Sequence, residues 1–399
     1  MAATNSTTTY GTVTKTFHWL TALLIITAII LGAVANRLPY ETNDQLAFKA
    51  QLFSFHKTLG VLVFAVALAR ILWALGQPKP GSLHPERTLE TKLAEMVHWL
   101  LYISLVAVPL TGWIHHAASA GFAPILLPIG QGLPLVPKDE GVSELFAGLH
   151  WVWSKIMVGA ILLHIAGALK HQIVDKDATM RRMWFGNTEA PDVPANPKSL
   201  TAPITAVTIY ALATGGGAMA GLYTHHETVD AAVALEEVSS DWRVTDGSLE
   251  ITVTQFGSQV TGDFNEWTSA ITFDPEAEGV LGDVTTTIAI GSLELGSVTG
   301  QAMGADFFNV EAFPTATFTA EITRGDTDYV ADGTLTIKDS TVPVTLPFKL
   351  TLEGGTAVMA GIVALDRRDF AIGNGVTDES NLGFGVGISI NLTATRAAE

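Results

Sequence analysis

The chain has 399 residues, 48% of them hydrophobic and only 15% charged, with a mean hydropathy of +0.34. Soluble domains carry about 25% charged residues, so an ordinary soluble, disordered or collagenous chain is excluded and a membrane protein is indicated. The absence of cysteine excludes disulfides, iron–sulfur clusters, thiolate zinc sites and covalent haem attachment, and a net charge of −17 argues against nucleic acid as a partner.

The average conceals two different compositions. Through His226 there are 15 Lys+Arg and 12 Asp+Glu, a net of +3, and all 11 histidines. From Glu227 onward there are 7 and 27, a net of −20, and no histidine. Five apolar stretches in the first part are long enough to cross about 30 Å of hydrocarbon. They are Phe17–Asn36, Leu52–Leu75, Leu93–His115, Leu145–Leu169 and Leu200–Tyr223. The fifth is the weakest of the five; its GGGAMAG run suits close helix packing, and the segment reads alternatively as a loose anchor. The first lacks the small-residue cleavage site of a signal peptide.

Loop charges orient these helices. Lys79, Arg87 and Lys92 follow the second, and Lys170, Lys176, Arg181, Arg182 and Lys198 follow the fourth. The loop before the fourth mixes Lys138 with Asp139, Glu140 and Glu144. Basic excess marks the cytoplasmic side, so the N-terminus is expected inside and the acidic C-terminal part outside.

On this orientation His18 and His98 lie at the inner side, and His56 and His150 at the outer side. His164 follows His150 by 14 residues, which is about 21 Å along the helix and within about 40° of the same face. The fourth helix therefore offers histidines at two depths, one matching His56 and the other His18 or His98. Facing imidazoles at two levels of a bundle suit two stacked b-type haems. A zinc site fits less well, because each level offers only two ligands. Arg70 follows His56 by the same 14 residues. It is read either as a propionate or quinone partner or as a snorkelling arginine. Lys57 and Lys155 flank the outer level, where they could pair propionates, attract an anionic reductant or simply be solvated. His115 and His116 precede an apolar loop and are read as an outer redox site or as incidental. His171, His225 and His226 read as surface residues, and Trp19, Trp99 and Trp151 as interfacial belt tryptophans.

The stretches FHWLTALL, FSFHKTLGVLVFAVALARILW, MVHWLLYISLVAVPLTGW and LHWVWSKIMVGAILLHIAGALKH make residues 10–185 resemble the bacterial cytochrome b561 family. The resemblance implies two haem b groups, the outer held by His56 and His150 and the inner by His18 and His164. It leaves His98 for a quinone or a propionate.

Residues 198–226 would form the fifth transmembrane helix and 227–239 a linker. Beyond it the pattern becomes period-two alternation, as in 315–323 (TATFTAEIT) and 341–352 (TVPVTLPFKLTL). Further strands read at 249–256, 259–266, 284–290, 328–338, 356–365 and 383–394, with a short helix expected within Glu294–Phe308. Eight or more strands in about 160 residues fit an antiparallel barrel.

Four elements, in order, make residues 240–396 resemble the YceI family of lipocalin-like barrels. They are WRVTDGSLEITVTQFGSQVTGDFNEWTSAITFDPE, FFNVEAFPTATF, GTLTIKDSTVPVTLPF and LDRRDFAIG. The resemblance implies an apolar cavity for an isoprenoid chain such as ubiquinone or a polyprenol. Asp246-Gly247-Ser248 stands where that family usually has a His-Ser pair. Phe256, Phe264, Trp267, Phe273, Phe308, Phe318, Phe348 and Phe370 are the aromatic residues expected to line the cavity or fill the core.

The fold class expected is thus a membrane α-helical bundle, a four-helix dihaem core plus a fifth transmembrane helix, followed by an antiparallel lipocalin-like β-barrel. The leading functional reading is quinone-linked electron transfer in a bacterial inner membrane, with the barrel in the periplasm. The partners expected are quinone or quinol, an isoprenoid lipid in the barrel, membrane lipids and a small one-electron donor such as superoxide. The alternatives are a membrane-anchored isoprenoid carrier and the haem-bearing membrane subunit of a larger dehydrogenase.

Overall fold

A computed structural model describes residues 2–40, 42–119, 123–186, 188, 190–193, 199–223, 233–236, 238, 240–325 and 328–396. His225, His226, Lys198 and most of the expected linker at 227–239 lie outside the described residues. The chain divides into two compact units. One comprises 1–37, 51–118 and 124–225, and the other 38–50, 119–123 and 226–399.

Among the described residues, five helices are long and apolar enough to cross a membrane. These are α1 (Thr12–Arg37), α2 (Asn43–Leu75), α3 (Thr88–Ala118), α4 (Glu140–Lys170) and α6 (Thr201–Met219), with a short α5 (Thr179–Met183) between the last two. The first four outrun their apolar cores because polar turns continue them. At the start of α4, for example, the Asp139 carboxylate accepts the Val142 N–H at 2.8 Å. Large apolar side chains such as Leu23, Leu72, Leu162 and Leu212 point outward. Ile25, Val63, Ala67, Leu105, Val108 and Met157 pack together inside. This inversion of soluble-protein patterning is what a lipid solvent selects.

The fifth helix is packed rather than loose. Ala206 and Tyr210 are buried with Leu100 of α3 and Ala160 of α4. The Tyr210 hydroxyl meets Ser104 Oγ of α3, and Trp153 Nε1 of α4 donates to Thr214 Oγ1 at 3.0 Å. The helix ends earlier than its apolar run. Gly221, with φ +69, turns the chain back so that the Tyr223 hydroxyl donates to the Thr214 carbonyl.

The second unit is one curled antiparallel sheet in the order β3-β4-β6-β7-β8-β9-β10-β1-β2-β5. Its strands are β1 (Trp242–Gln255), β2 (Ser258–Phe264), β3 (Trp267–Phe273), β4 (Val280–Ala289), β5 (Leu293–Glu294), β6 (Thr315–Arg324), β7 (Tyr329–Ile337), β8 (Ser340–Glu353), β9 (Thr356–Asp366) and β10 (Leu382–Arg396). Two-residue turns with positive φ, Phe256-Gly257 and Gly354-Gly355, join β1 to β2 and β8 to β9. That backbone matches the twist of the strands it connects. The β3 edge curls back to the start of β1, where the Asp241 N–H donates to the Ile271 carbonyl and Trp242 Nε1 to the Phe273 carbonyl. The expected short helix is α7 (Thr299–Met303).

Candidate haem and lipid sites

Two imidazole pairs form in the helical unit. His56 of α2 faces His150 of α4 with ring centroids 6.1 Å apart, and His18 of α1 faces His164 of α4 at the same 6.1 Å. Metal–imidazole bonds are about 2.0 Å and a ring nitrogen lies about 1.2 Å from its centroid, so two rings sharing one metal would stand up to about 6.4 Å apart. Both pairs have room for one metal ion between them. His98 of α3 lies 5.1 Å from His164, centroid to centroid, too close for such an ion, and its ring stacks on Tyr102.

The outer pair is held by backbone. His56 Nδ1 lies 2.8 Å from the Ala28 carbonyl of α1, and His150 Nδ1 lies 2.9 Å from the Val108 carbonyl of α3. A carbonyl only accepts, so Nδ1 carries the proton in each ring and Nε2 presents its lone pair. A small residue makes room for each imidazole. A Cβ on Gly32 would fall 2.8 Å from the His56 ring, and one on Gly112 would fall 2.9 Å from the His150 ring. Opposed rings with oriented Nε2 lone pairs are a donor set that would suit a haem iron, which His56 and His150 would hold.

Basic groups gather at the inner level. Arg70 is half-buried, within electrostatic reach of His18, His98, His164 and Tyr10. Tyr10 also faces Arg182, a residue whose value on sequence was only as a loop charge. Arg182 is 5% exposed, and its Nη1 donates to the Gly81 carbonyl. Its Nε and Nη2 are buried without a partner among the described residues. Burial draws the Arg182 pKa below its ordinary value, and Tyr10 and Asp177 oppose that. Orphaned guanidinium donors in a buried position suit a carboxylate, and haem carries two.

At the outer level Lys57 is half-buried rather than solvated, with Nζ 3.2 Å from His116 Nδ1. An ammonium can only donate, so the His116 proton sits on Nε2 and goes to Gln131 Oε1 at 2.9 Å. Gln131 in turn holds both the N–H and the carbonyl of Ile125. His115 Nδ1 is bonded to the Ser143 carbonyl at 2.9 Å. The pair thus anchors the apolar loop and the start of α4 rather than being incidental. Lys155 lies over the Trp151 ring at 5.0 Å.

His171 is not an ordinary surface residue. It stacks on His84 with planes 7° apart, and its Nδ1 lies 2.7 Å from Asp177 Oδ2. Glu90, His171 and Asp175 converge closely enough for a metal ion, but Lys170 Nζ already pairs both carboxylates and Arg87 pairs Asp175. Trp99 and Trp151 are exposed as belt residues should be, whereas Trp19 donates Nε1 to the Met183 carbonyl and ties α1 to α5.

The sheet of the second unit encloses an apolar cavity of about 250 Å³. Seven of the eight expected aromatic residues line it. Phe256 does not, because it occupies the β1–β2 turn with φ +48. Asp246, Gly247 and Ser248 are exposed beside a bulge in β1 and also lie off the lining. Arg367, 4% exposed, spends its guanidinium on five backbone carbonyls, those of Gly383, Ile372, Gly373, Val376 and Leu382. Burial lowers its pKa, with the Asp366 charge opposing.

Comparison with known proteins agrees with this division. Residues 9–186 match the family "Prokaryotic cytochrome b561", and residues 228–394 match "YceI-like domain". The chain is 34% identical over 187 residues to "Cytochrome b561 homolog 2" of Escherichia coli (strain K12), a match covering 46% of this chain and 95% of that protein. It is 25% identical over 173 residues to "Probable superoxide oxidase CybB" of Yersinia pestis, covering 42% of this chain and 90% of that one. The crystal structure of Burkholderia cenocepacia BcnA is similar at 29% identity and a TM-score of 0.36, covering 37% of this chain and 96% of that chain. The chain belongs to the cytochrome b561 family of membrane electron-transfer proteins, here joined to a YceI-like domain.

Proposed function

We propose that this protein carries two b-type haems and exchanges single electrons with the quinone pool, while its C-terminal barrel holds an isoprenoid lipid. The observation that carries the reading is the pair of 6.1 Å imidazole separations at two levels of one bundle. His56 and His150 would hold the outer haem, and His18 and His164 the inner one. Haem bound at both levels supplies two one-electron centres in series across the membrane.

The chain's own groups do the rest. The Ala28 and Val108 carbonyls fix the ligand tautomers, and Gly32 and Gly112 leave room for the rings. Arg70 and Arg182 would receive inner propionates, and apolar helices exclude water. His98 is then available to a quinone headgroup or a propionate. The basic loops around Arg87 and Arg181 support a cytoplasmic N-terminus in a bacterial inner membrane, and a fifth crossing would deliver the barrel to the periplasm.

Electron entry from superoxide on the outer side is the direction we favour. The relative named as a superoxide oxidase supports it, as does the basic side chain of Lys57 beside the outer level. Dithionite-reduced protein in liposomes should be reoxidised within seconds of adding a short-chain ubiquinone. Haem that stays reduced would exclude quinone exchange.

A further inference from the structure

A third histidine continues the row on α4. His171 follows His164 by seven residues, about 10.5 Å of helical rise and within about 20° of the same face. It stands where α4 gives way to a single π turn, His171–Asp175. Neither imidazole pair of the bundle uses it.

A row of polar contacts leads to it from water. The Glu86 side chain is 66% exposed, and its Oε1 lies 3.2 Å from His84 Nδ1. His84 Nε2 lies 3.1 Å from Asp177 Oδ2, and the same oxygen lies 2.7 Å from His171 Nδ1. His171 Nε2 lies 3.3 Å from Glu90 Oε1. Ionised carboxylates accept and do not donate, so each ring meets acceptors at both nitrogens. Only a protonated imidazole satisfies such a setting in full.

Charge sets how many protons the row holds. Glu86 of the α2–α3 loop, Glu90 of α3, Asp175 of the π turn and Asp177 beyond it bring four negative charges to the two rings. Arg87 and Lys170 each reach both Glu90 and Asp175, and Arg182 of α5 faces Asp177. With both imidazoles neutral, one negative charge is left over, and one proton cancels it. A second proton would set two cations face to face with centroids 6.3 Å apart.

We propose that His84 and His171 form a proton-loading site, which takes one proton from inner-side water when an electron reaches the inner haem position and returns it when the electron leaves. The inference rests on the reading of His18 and His164 as ligands of an inner haem, and adds proton coupling to it. The electron comes from the one-electron donor and the proton from water, so no further reactant is needed. A unit charge about 10.5 Å away changes a proton affinity about tenfold at the effective permittivity of a protein. Linkage is reciprocal, so the proton changes the reduction equilibrium by the same factor, which for one electron is about 59 mV.

The test is a redox titration of the purified, haem-loaded full chain in detergent, read at the α-bands from about pH 5 to 9, a range that spans histidine titration. The inner midpoint potential of wild type should fall by about 59 mV in total across that range. In His84→Gln/His171→Gln the fall should vanish, with the haem content and the outer potential as in wild type. Asp177→Asn keeps an acceptor for the Thr179 N–H but removes a negative charge, and should move the fall to lower pH. With a pH dye in weak buffer, wild type should take up protons on reduction and the double variant should not. A pH-independent inner potential in wild type overturns the proposal. So does a fall that survives in the double variant, which would belong to another group such as a propionate, or one that Asp177→Asn leaves in place. Absence of an inner haem from wild type overturns the haem reading instead.

Discussion

His56 and His150 stand 6.1 Å apart, ring to ring, and each is pinned through Nδ1 by a carbonyl of a different neighbouring helix, Ala28 for one and Val108 for the other. Four helices therefore meet at this level: two provide imidazoles and two set their tautomers. Gly112 supports this arrangement, because a methyl there meets the His150 ring at 2.9 Å. Gly112→Ala should weaken the outer haem 10–100-fold, the range typical of outer-shell changes. His150→Ala should remove that haem outright. Haem titration of apoprotein checks both, and full outer occupancy in either variant contradicts the ligation.

At the inner level the competing ligands separate by distance. His18 lies 6.1 Å from His164, whereas His98 lies 5.1 Å from it. His18→Ala should lose one haem of two, and His98→Ala should keep both. The reverse pattern would assign the inner iron to His98.

Arg182 has two buried guanidinium nitrogens without partners among the described residues. Removing a positive charge beside a haem destabilises its electron-richer reduced form. Arg182→Leu should therefore lower the inner haem's midpoint potential by tens of millivolts, to order of magnitude, and leave the outer one unchanged. Redox titration of the α-band reads this, and an unshifted inner potential would remove Arg182 from the propionate site.

Much of this was legible in the sequence because helical periodicity is rigid. Fourteen residues return to one face, so the two depths on α4 followed from spacing alone. The carbonyl partners did not, since Ala28 and Val108 belong to other helices and any residue supplies a carbonyl. Arg182 looked like another loop charge, because burial of a short helix against a loop leaves no periodic mark. In the barrel, alternation located eight of the ten strands but missed β3 as a separate element and the two-residue β5. The Asn265-Glu266 break between β2 and β3 is too short to stand out. Phe256 reads with the other aromatics as lining the cavity or filling the core, but it occupies a turn, where strand alternation does not apply.

The barrel offers a pH test. The Arg368 side chain, helped by its own backbone N–H, bonds the Asp366 carboxylate and holds its pKa down to about 2. A carboxylate depressed in the folded state stabilises the fold above its unfolded pKa of about 3.9 and loses that contribution as pH falls through the folded value. Wild type should exceed Asp366→Asn in the barrel's melting temperature by a constant small margin above pH about 4. The margin should close by pH about 2, and one that widened toward acid would contradict the pairing.

Two haems in series on one chain are tested by the haem-to-chain ratio of the purified protein, from the pyridine haemochrome spectrum against amino-acid analysis. Two non-covalent b-type haems per chain are expected. A ratio of one or none after full reconstitution would contradict this.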